Sequence, residues 1–105
     1  GSAAEGKEGN DRLNQHYRQV QERLKADAGV RRQLLDSQRK WLAFRDAECA
    51  FQATRSSGGS IHAMNVNSCL ADLTHARAEA LRRHLDCAQQ AGEQDAASCA
   101  VPPAR

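Results

Sequence analysis

The sequence is poor in aromatic residues and has no long apolar run. Only 4% of its 105 residues are aromatic, with one Trp, one Tyr and two Phe, so Leu and Ala must supply most of the core. No stretch approaches the ~20 consecutive apolar residues that a transmembrane helix needs. We therefore expect one small domain with a modest core and no membrane span.

The chain also lacks a charge bias and the common catalytic motifs. Fifteen Lys and Arg stand against thirteen Asp and Glu, a formal net charge of +2, and like charges form no block. This balance excludes a dedicated nucleic-acid binder. There is no G-x-S-x-G elbow, no H-E-x-x-H and no phosphate-binding glycine loop. The sequence predicts neither an enzyme nor a cofactor.

Four cysteines in so short a chain indicate the compartment. An even number fits two disulfides and an oxidising environment. A zinc site is the competing interpretation, but zinc ligands usually come in closely spaced pairs, whereas twelve or more positions separate these cysteines. Gly1-Ser2 resembles the remnant of an expression tag, and a signal peptide is expected to have been removed before it. We therefore predict a periplasmic or secreted protein with no metal.

Apolar periodicity predicts three helices. Residues 1–10 are small and polar, and we expect them to be disordered. A first helix is predicted from Asn10 or Asp11 to about residues 26–29, with Asp27 capping the next one. Its apolar face consists of Leu13, Tyr17, Val20 and Leu24.

The second helix is predicted from Val30 to about Arg55, because this stretch contains neither Pro nor Gly. Residues 56–60 interrupt the helical pattern, and a third helix follows from Ile61 to about Gln90. The predicted fold is all-α, with a helical domain over residues 11–91 and a C-terminal tail over 92–105. A long antiparallel hairpin of the second and third helices dominates it.

The hairpin suggests how the cysteines pair. Cys49 and Cys69 lie about ten residues before and after the glycine turn, so they fall at the same level. Cys87 and Cys99 are left to tie the tail back to the third helix. Four cysteines permit three connectivities, and the sequence does not exclude the others.

Residues 38–49 carry the only Trp and an arginine on an apolar helix face, which consists of Gln38, Trp41, Leu42, Arg45 and Cys49. Arg77 should meet this face from the third helix. Two cations at an apolar interface need polar partners. We predict a structural polar network made of Asn14, Gln38, Arg45, Asp46 and Arg77. Arg45 and Asp46 are not expected to pair, since neighbours on a helix diverge by about 100°. The alternative is a small-anion site at Arg45 and Arg77.

The histidines give a weaker signal. His62 and Met64 could contribute to a copper site, but two ligands do not define one, and Met64 is expected in the core. His16, His75 and His84 are expected at the surface or at helix interfaces.

Four motifs, in order, resemble a known family. They are Asp11-x-Leu13-Asn14-x-x-Tyr17, then Gln38-Arg39-x-Trp41-x-x-Phe44-Arg45-Asp46-x-Glu48-Cys49, then Gly58-Gly59-Ser60, and finally Cys69-x-x-x-Leu73-Thr74-x-x-Arg77-x-x-x-Leu81. They are similar to the N-terminal domain of the LprI-type lysozyme inhibitors, whose members are small secreted or lipid-anchored proteins of the bacterial envelope. Many members carry a further Cys-containing segment before the first motif, which this chain lacks.

The resemblance implies a protein-binding domain that inhibits a lysozyme or another muramidase. These enzymes cleave with a carboxyl pair in a cleft, so an inhibitor must fill the cleft and offer hydrogen-bond donors. The Ser56–Met64 turn, flanked by Arg55, is expected to form such a plug. Its candidate binding residues are Arg55, Ser57, Gly58, Gly59, Ser60 and His62. Animal lysozymes are generally basic, so a +2 domain gains no charge steering. The rival interpretation is a structural or adaptor module of the cell envelope that inhibits nothing.

Overall fold

A computed structural model of the chain describes residues 2–104, and within them the side chains of residues 6–92 and 97–104. Three α-helices follow one another, and across the described residues there is no strand. Helix α1 is Ser2–Arg23, α2 is Ala28–Gln52 and α3 is His62–Asp95. Two short 3₁₀ turns occupy Thr54–Ser56 and Ala96–Ser98. The predicted all-α, three-helix fold is confirmed.

The helix boundaries follow local sequence signals. The Asp27 side chain accepts a hydrogen bond from the Val30 amide at 3.1 Å and caps α2, as predicted. Gly58 has φ 81° in the turn after α2, a conformation that glycine adopts without a steric cost. Gly92, with φ 75°, interrupts the end of α3.

Helix α1 begins earlier than the sequence predicted. It starts at Ser2 rather than at Asn10 or Asp11, so residues 2–9 are helical where disorder was expected. The reason is tertiary packing. Gly9 is buried, and a Cβ atom built on it would lie 3.6 Å from Cγ2 of Thr74 in α3. Contact with α3 thus outweighs the low helix propensity of the glycines. Gly1 lies outside the described residues.

The core lies mainly between α1 and α3. Its buried members are Leu13, Val20 and Leu24 of α1, Ala78, Leu81 and Leu85 of α3, and Val101 of the tail. Buried His16 adds a hydrogen bond from Nδ1 to the Ala78 carbonyl oxygen at 2.9 Å. The predicted apolar face of α1 is therefore correct.

Helix α2 packs less completely than expected. Val30, Leu34 and Trp41 are only partly buried against the core. Leu42, which the sequence placed on the packed face, is 38% exposed. The stretch 38–49 consequently covers one side of the α1–α3 pair, and the core is not built around it.

Both predicted disulfides are present. Cys49 pairs with Cys69 and Cys87 with Cys99, with Cα–Cα distances of 5.5 and 5.8 Å. The second bond ties the tail to α3, and Val101 beyond it is only 3% exposed. Val101 anchors the tail to the core, while its other described residues, apart from half-buried Cys99, are exposed.

Candidate functional site

The connection between α2 and α3 is enclosed by the Cys49–Cys69 disulfide. We call residues 51–64 the turn segment. Its backbone is held by short-range hydrogen bonds. The Gly59 amide donates to the Ser56 carbonyl oxygen at 2.9 Å, and the His62 amide to that of Gly59 at 3.3 Å. The segment is thus an ordered turn closed by a covalent bond.

Ser56 connects the two sides of this turn. Its hydroxyl donates to the Ala53 carbonyl oxygen at 2.9 Å and lies 3.1 Å from Nδ1 of His62. The imidazole is thereby held by one ring nitrogen. Ser56 was not among the predicted site residues, because only the fold reveals that it faces His62.

The residues predicted to form the plug lie in this segment, but they are not equally accessible. Arg55, Ser57, Gly58, Gly59 and Ser60 are exposed, whereas His62 is half-buried. Gly59 is also sterically restricted, since a Cβ atom there would lie 3.2 Å from the Ser56 carbonyl oxygen. The accessible part of the prediction therefore consists of Arg55 and residues 57–60.

The sequence reasoning missed three exposed apolar side chains in the same segment. Phe51 is 73% exposed, Ile61 50% and Met64 53%. Met64 was expected in the core, but the structure places it at the surface. Phe51, near the end of α2, is exposed as well. The signal that could have found them is their position, since all three flank a glycine turn at the open end of two helices. Exposed apolar side chains are typical of a protein-binding surface where they form a contiguous patch.

The turn segment carries no negative charge. Between Cys49 and Cys69 the sequence contains one charged residue, Arg55, and no Asp or Glu. The segment therefore offers a guanidinium, serine hydroxyls and apolar side chains. Such a surface can approach a carboxylate without like-charge repulsion.

A second polar feature connects α2 to α3. The Trp41 ring lies 5.4 Å from the Arg45 guanidinium carbon and 6.0 Å from that of Arg77, both within cation–π range. Arg45 also donates to the Thr74 hydroxyl at 3.3 Å, and Arg77 donates to the Gln38 side-chain oxygen at 3.0 Å. Gln38 precedes Arg45 in α2, whereas the partner of Gln38, Arg77, follows the partner of Arg45, Thr74, in α3.

The composition of this network differs from the prediction in two respects. Arg45 and Asp46 do form an ion pair, with 2.9 Å between a guanidinium nitrogen and Oδ1. The long arginine side chain turns back along the helix surface, which the angle between Cβ directions does not prevent. Asn14 is exposed, and within residues 2–104 no hydrogen bond joins it to the two arginines. Gln38, Arg45, Asp46 and Arg77 are thus brought to this region, and Asn14 is not.

Fold and site together define a small, disulfide-bonded helical domain whose most distinctive surface is an ordered, acid-free turn. The chain belongs to the family described as lysozyme inhibitor LprI, whose model matches residues 2–81. This is a family of inhibitors, associated with secreted and envelope proteins, and not a family of enzymes.

Other comparisons add little about activity. The chain is 36% identical over 64 residues to an uncharacterized protein of Rhizobium meliloti (strain 1021), a match that covers 61% of this chain and 46% of that protein. The chain thus spans about half the length of this relative. The comparison with solved structures found no match. In the part of the chain that the structure describes, no helix is long and apolar enough to cross a membrane.

Proposed function

We propose that this protein is a periplasmic or secreted inhibitor of a lysozyme or another muramidase, and that the turn segment enters the enzyme's cleft. Family membership supports a lysozyme as the partner. The observation that carries the choice of surface is the turn segment itself, which combines exposed Phe51, Ile61 and Met64 with a single cation and no acid.

The chemistry of the target favours this surface. Glycoside hydrolases of this kind act through two carboxyl groups that flank the scissile bond. An inserted segment with a carboxylate of its own would be repelled, whereas Arg55 and the serine hydroxyls supply donors. Arg55 is exposed within the disulfide-enclosed turn segment. It is the residue we expect to approach the carboxyl pair.

The order of the turn favours tight binding. A flexible loop loses conformational entropy when it is immobilised in a cleft. Here the Cys49–Cys69 bond and the hydrogen bonds of Ser56 fix the segment before it binds. The three apolar side chains then supply burial, at about 25 cal/mol per Å² of apolar surface removed from water.

An inhibition titration tests the proposal. The full chain, with both disulfides formed, is titrated against c-type, g-type and bacterial muramidases in a cell-wall turbidity assay. We expect inhibition of at least one class that is relieved by soluble cell-wall oligosaccharide, since both compete for the cleft. No inhibition of any class at micromolar excess would remove the proposal and favour the envelope adaptor. The charge reversals Arg31→Glu and Arg82→Glu, both at exposed positions, would then be used in pull-downs to look for such a partner.

A further inference from the structure

A small cleft opens between the three helices and the tail, away from the turn segment. Its apolar wall includes Val20 of α1, Leu34 of α2, Leu81 of α3 and Val101 of the tail, and its basic groups are Arg77 and His84. The cleft holds about 190 Å³, and no Asp or Glu lines it. This volume is below the roughly 300–1,000 Å³ of sites for drug-sized molecules, so it suits a smaller ligand.

Arg77 is a cation without a counter-ion. Its hydrogen-bond acceptors are neutral, with Gln38 Oε1 at 3.0 Å and Ser37 Oγ at 3.2 Å. Among the described residues no carboxylate forms an ion pair with it, whereas Arg45 has Asp46 and Arg82 has Asp86. Burial lowers the pKa of Arg77, an effect that neighbouring Tyr17 opposes. Arg77 is half-buried, so a bound anion would offset part of the cost of removing its charge from water.

The Tyr17 hydroxyl is an unsatisfied polar group of the adjoining core. It is buried and, within the part of the chain that is described, makes no hydrogen bond. Tyr17 also packs against the core cluster that contributes Val20, Leu81 and Val101 to the cleft. Native proteins rarely leave a buried hydroxyl without a partner. Tyr17 does not itself line the cleft, so the group there that lacks an anion is the Arg77 guanidinium.

We infer that this cleft is a binding site for a small aliphatic carboxylate. The aliphatic chain lies against the wall of Val20, Leu34, Leu81 and Val101, and the carboxylate accepts hydrogen bonds from the Arg77 guanidinium. Arginine suits this role because its planar donors match a carboxylate in a bidentate pair. The inference does not depend on lysozyme inhibition, since the cleft and the turn segment share no residue.

Two sources of the ligand have this chemistry. One is a free short-chain acid, and the other is the C-terminus of a peptide that ends in an aliphatic residue. Hexanoate represents the first and N-acetylleucine the second. Hexanol and N-acetylleucinamide are their matched neutral controls.

Binding of these four compounds to the full, oxidised chain is measured by ¹H–¹⁵N NMR titration and by thermal shift. We expect each acid to bind at least about tenfold more tightly than its neutral control, because a hydrogen bond to a charged group is stronger than one between neutral groups. The shifts should be largest at Val101 and Arg77. Whichever acid binds more tightly identifies the source. Equal affinity of acid and control, or shifts that cluster elsewhere, would overturn the inference, as would no binding of either acid at millimolar concentration.

Arg77→Gln provides a second test. It should abolish the preference for the acid over the alcohol, whereas Arg82→Gln, on the exposed side of α3 and paired with Asp86, should leave that preference unchanged. Should Arg77→Gln fail to fold, the comparison of acid with alcohol on the unaltered chain still decides the question. A preference that survives in folded Arg77→Gln would contradict the assignment of the carboxylate to Arg77.

Discussion

The Ser56 hydroxyl lies 3.1 Å from Nδ1 of His62 and connects the two sides of the turn between α2 and α3. The same hydroxyl donates to the Ala53 carbonyl oxygen, and Ala53 is buried. This one side chain thus links the end of α2, the 3₁₀ turn and the start of α3. If the turn segment acts as a preformed plug, its order should matter as much as its exposed residues.

Replacing Ser56 with Ala removes both hydrogen bonds without adding bulk. We expect the free energy of unfolding to fall by about 1 kcal/mol and inhibition to weaken several-fold, since the turn must then be ordered on binding. Thermal unfolding and the inhibition constant measure the two effects. Ser57→Ala, at the exposed neighbouring position, is the control. Unchanged inhibition by a folded Ser56→Ala variant would show that the order of the turn is not needed.

The two phenylalanines of α2 form a matched pair for testing the apolar part of the surface. Phe51 is 73% exposed inside the turn segment, and Phe44 is 56% exposed about two turns earlier in the same helix. Neither truncation should disturb the core. Phe51→Ala is expected to weaken inhibition by about tenfold or more, as for residues at the centre of an interface. Phe44→Ala should have no effect, and equal losses for both variants would place the contact surface along α2 instead.

Removing each disulfide in turn should distinguish effects on the free energy of unfolding from effects on inhibition. In the chain-entropy account each bond contributes about 3 kcal/mol to the free energy of unfolding. Cys49→Ala/Cys69→Ala and Cys87→Ala/Cys99→Ala should therefore lose similar stability in denaturant titrations. At a temperature where both variants are folded, only the first should lose inhibition, because only that bond encloses the turn segment. Loss of inhibition in the second variant alone would assign the activity to the tail.

Val101 tests whether the tail belongs to the core. It is 3% exposed and packs with Leu81 and Leu85 of α3. Val101→Ala should reduce the free energy of unfolding by about 2 kcal/mol, from lost burial and the cavity left behind. Pro103→Ala, at an exposed position, should be nearly neutral in the same denaturant titration. A neutral Val101→Ala would mean that the tail packs loosely in solution.

Much of the fold could be predicted because its signals are local. Asp27 is a capping residue just before a helix that contains no proline, and the glycines at 58 and 59 mark the only strong interruption between two long periodic segments. Counting outward from those glycines also paired Cys49 with Cys69, which the structure confirms. Capping and turn formation depend on a few neighbouring atoms, so the sequence alone reveals them.

The remaining features depend on tertiary packing. Gly9 lowers helix propensity, yet it lies against Thr74 of α3 inside a helix that begins at Ser2. The apolar residues Phe51 and Met64 fit a helical pattern, yet both are more than half exposed in the folded chain. Their exposure and the His62–Ser56 contact define the candidate site more closely than the sequence could. The assignment of residues 55–62 to inhibition stays a prediction.

The most direct test of the central claim is a charge reversal in the turn segment. Arg55→Glu places a carboxylate where we expect those of the enzyme, and Arg39→Glu makes the same change at another exposed position of the chain. Inhibition constants are measured for both variants and the unaltered chain against whichever muramidase class responds. We predict that Arg55→Glu raises the constant at least about tenfold, as expected for like charges brought together at an interface, while Arg39→Glu leaves it unchanged. Equal constants for folded Arg55→Glu and the unaltered chain would contradict the insertion of this turn into the catalytic cleft.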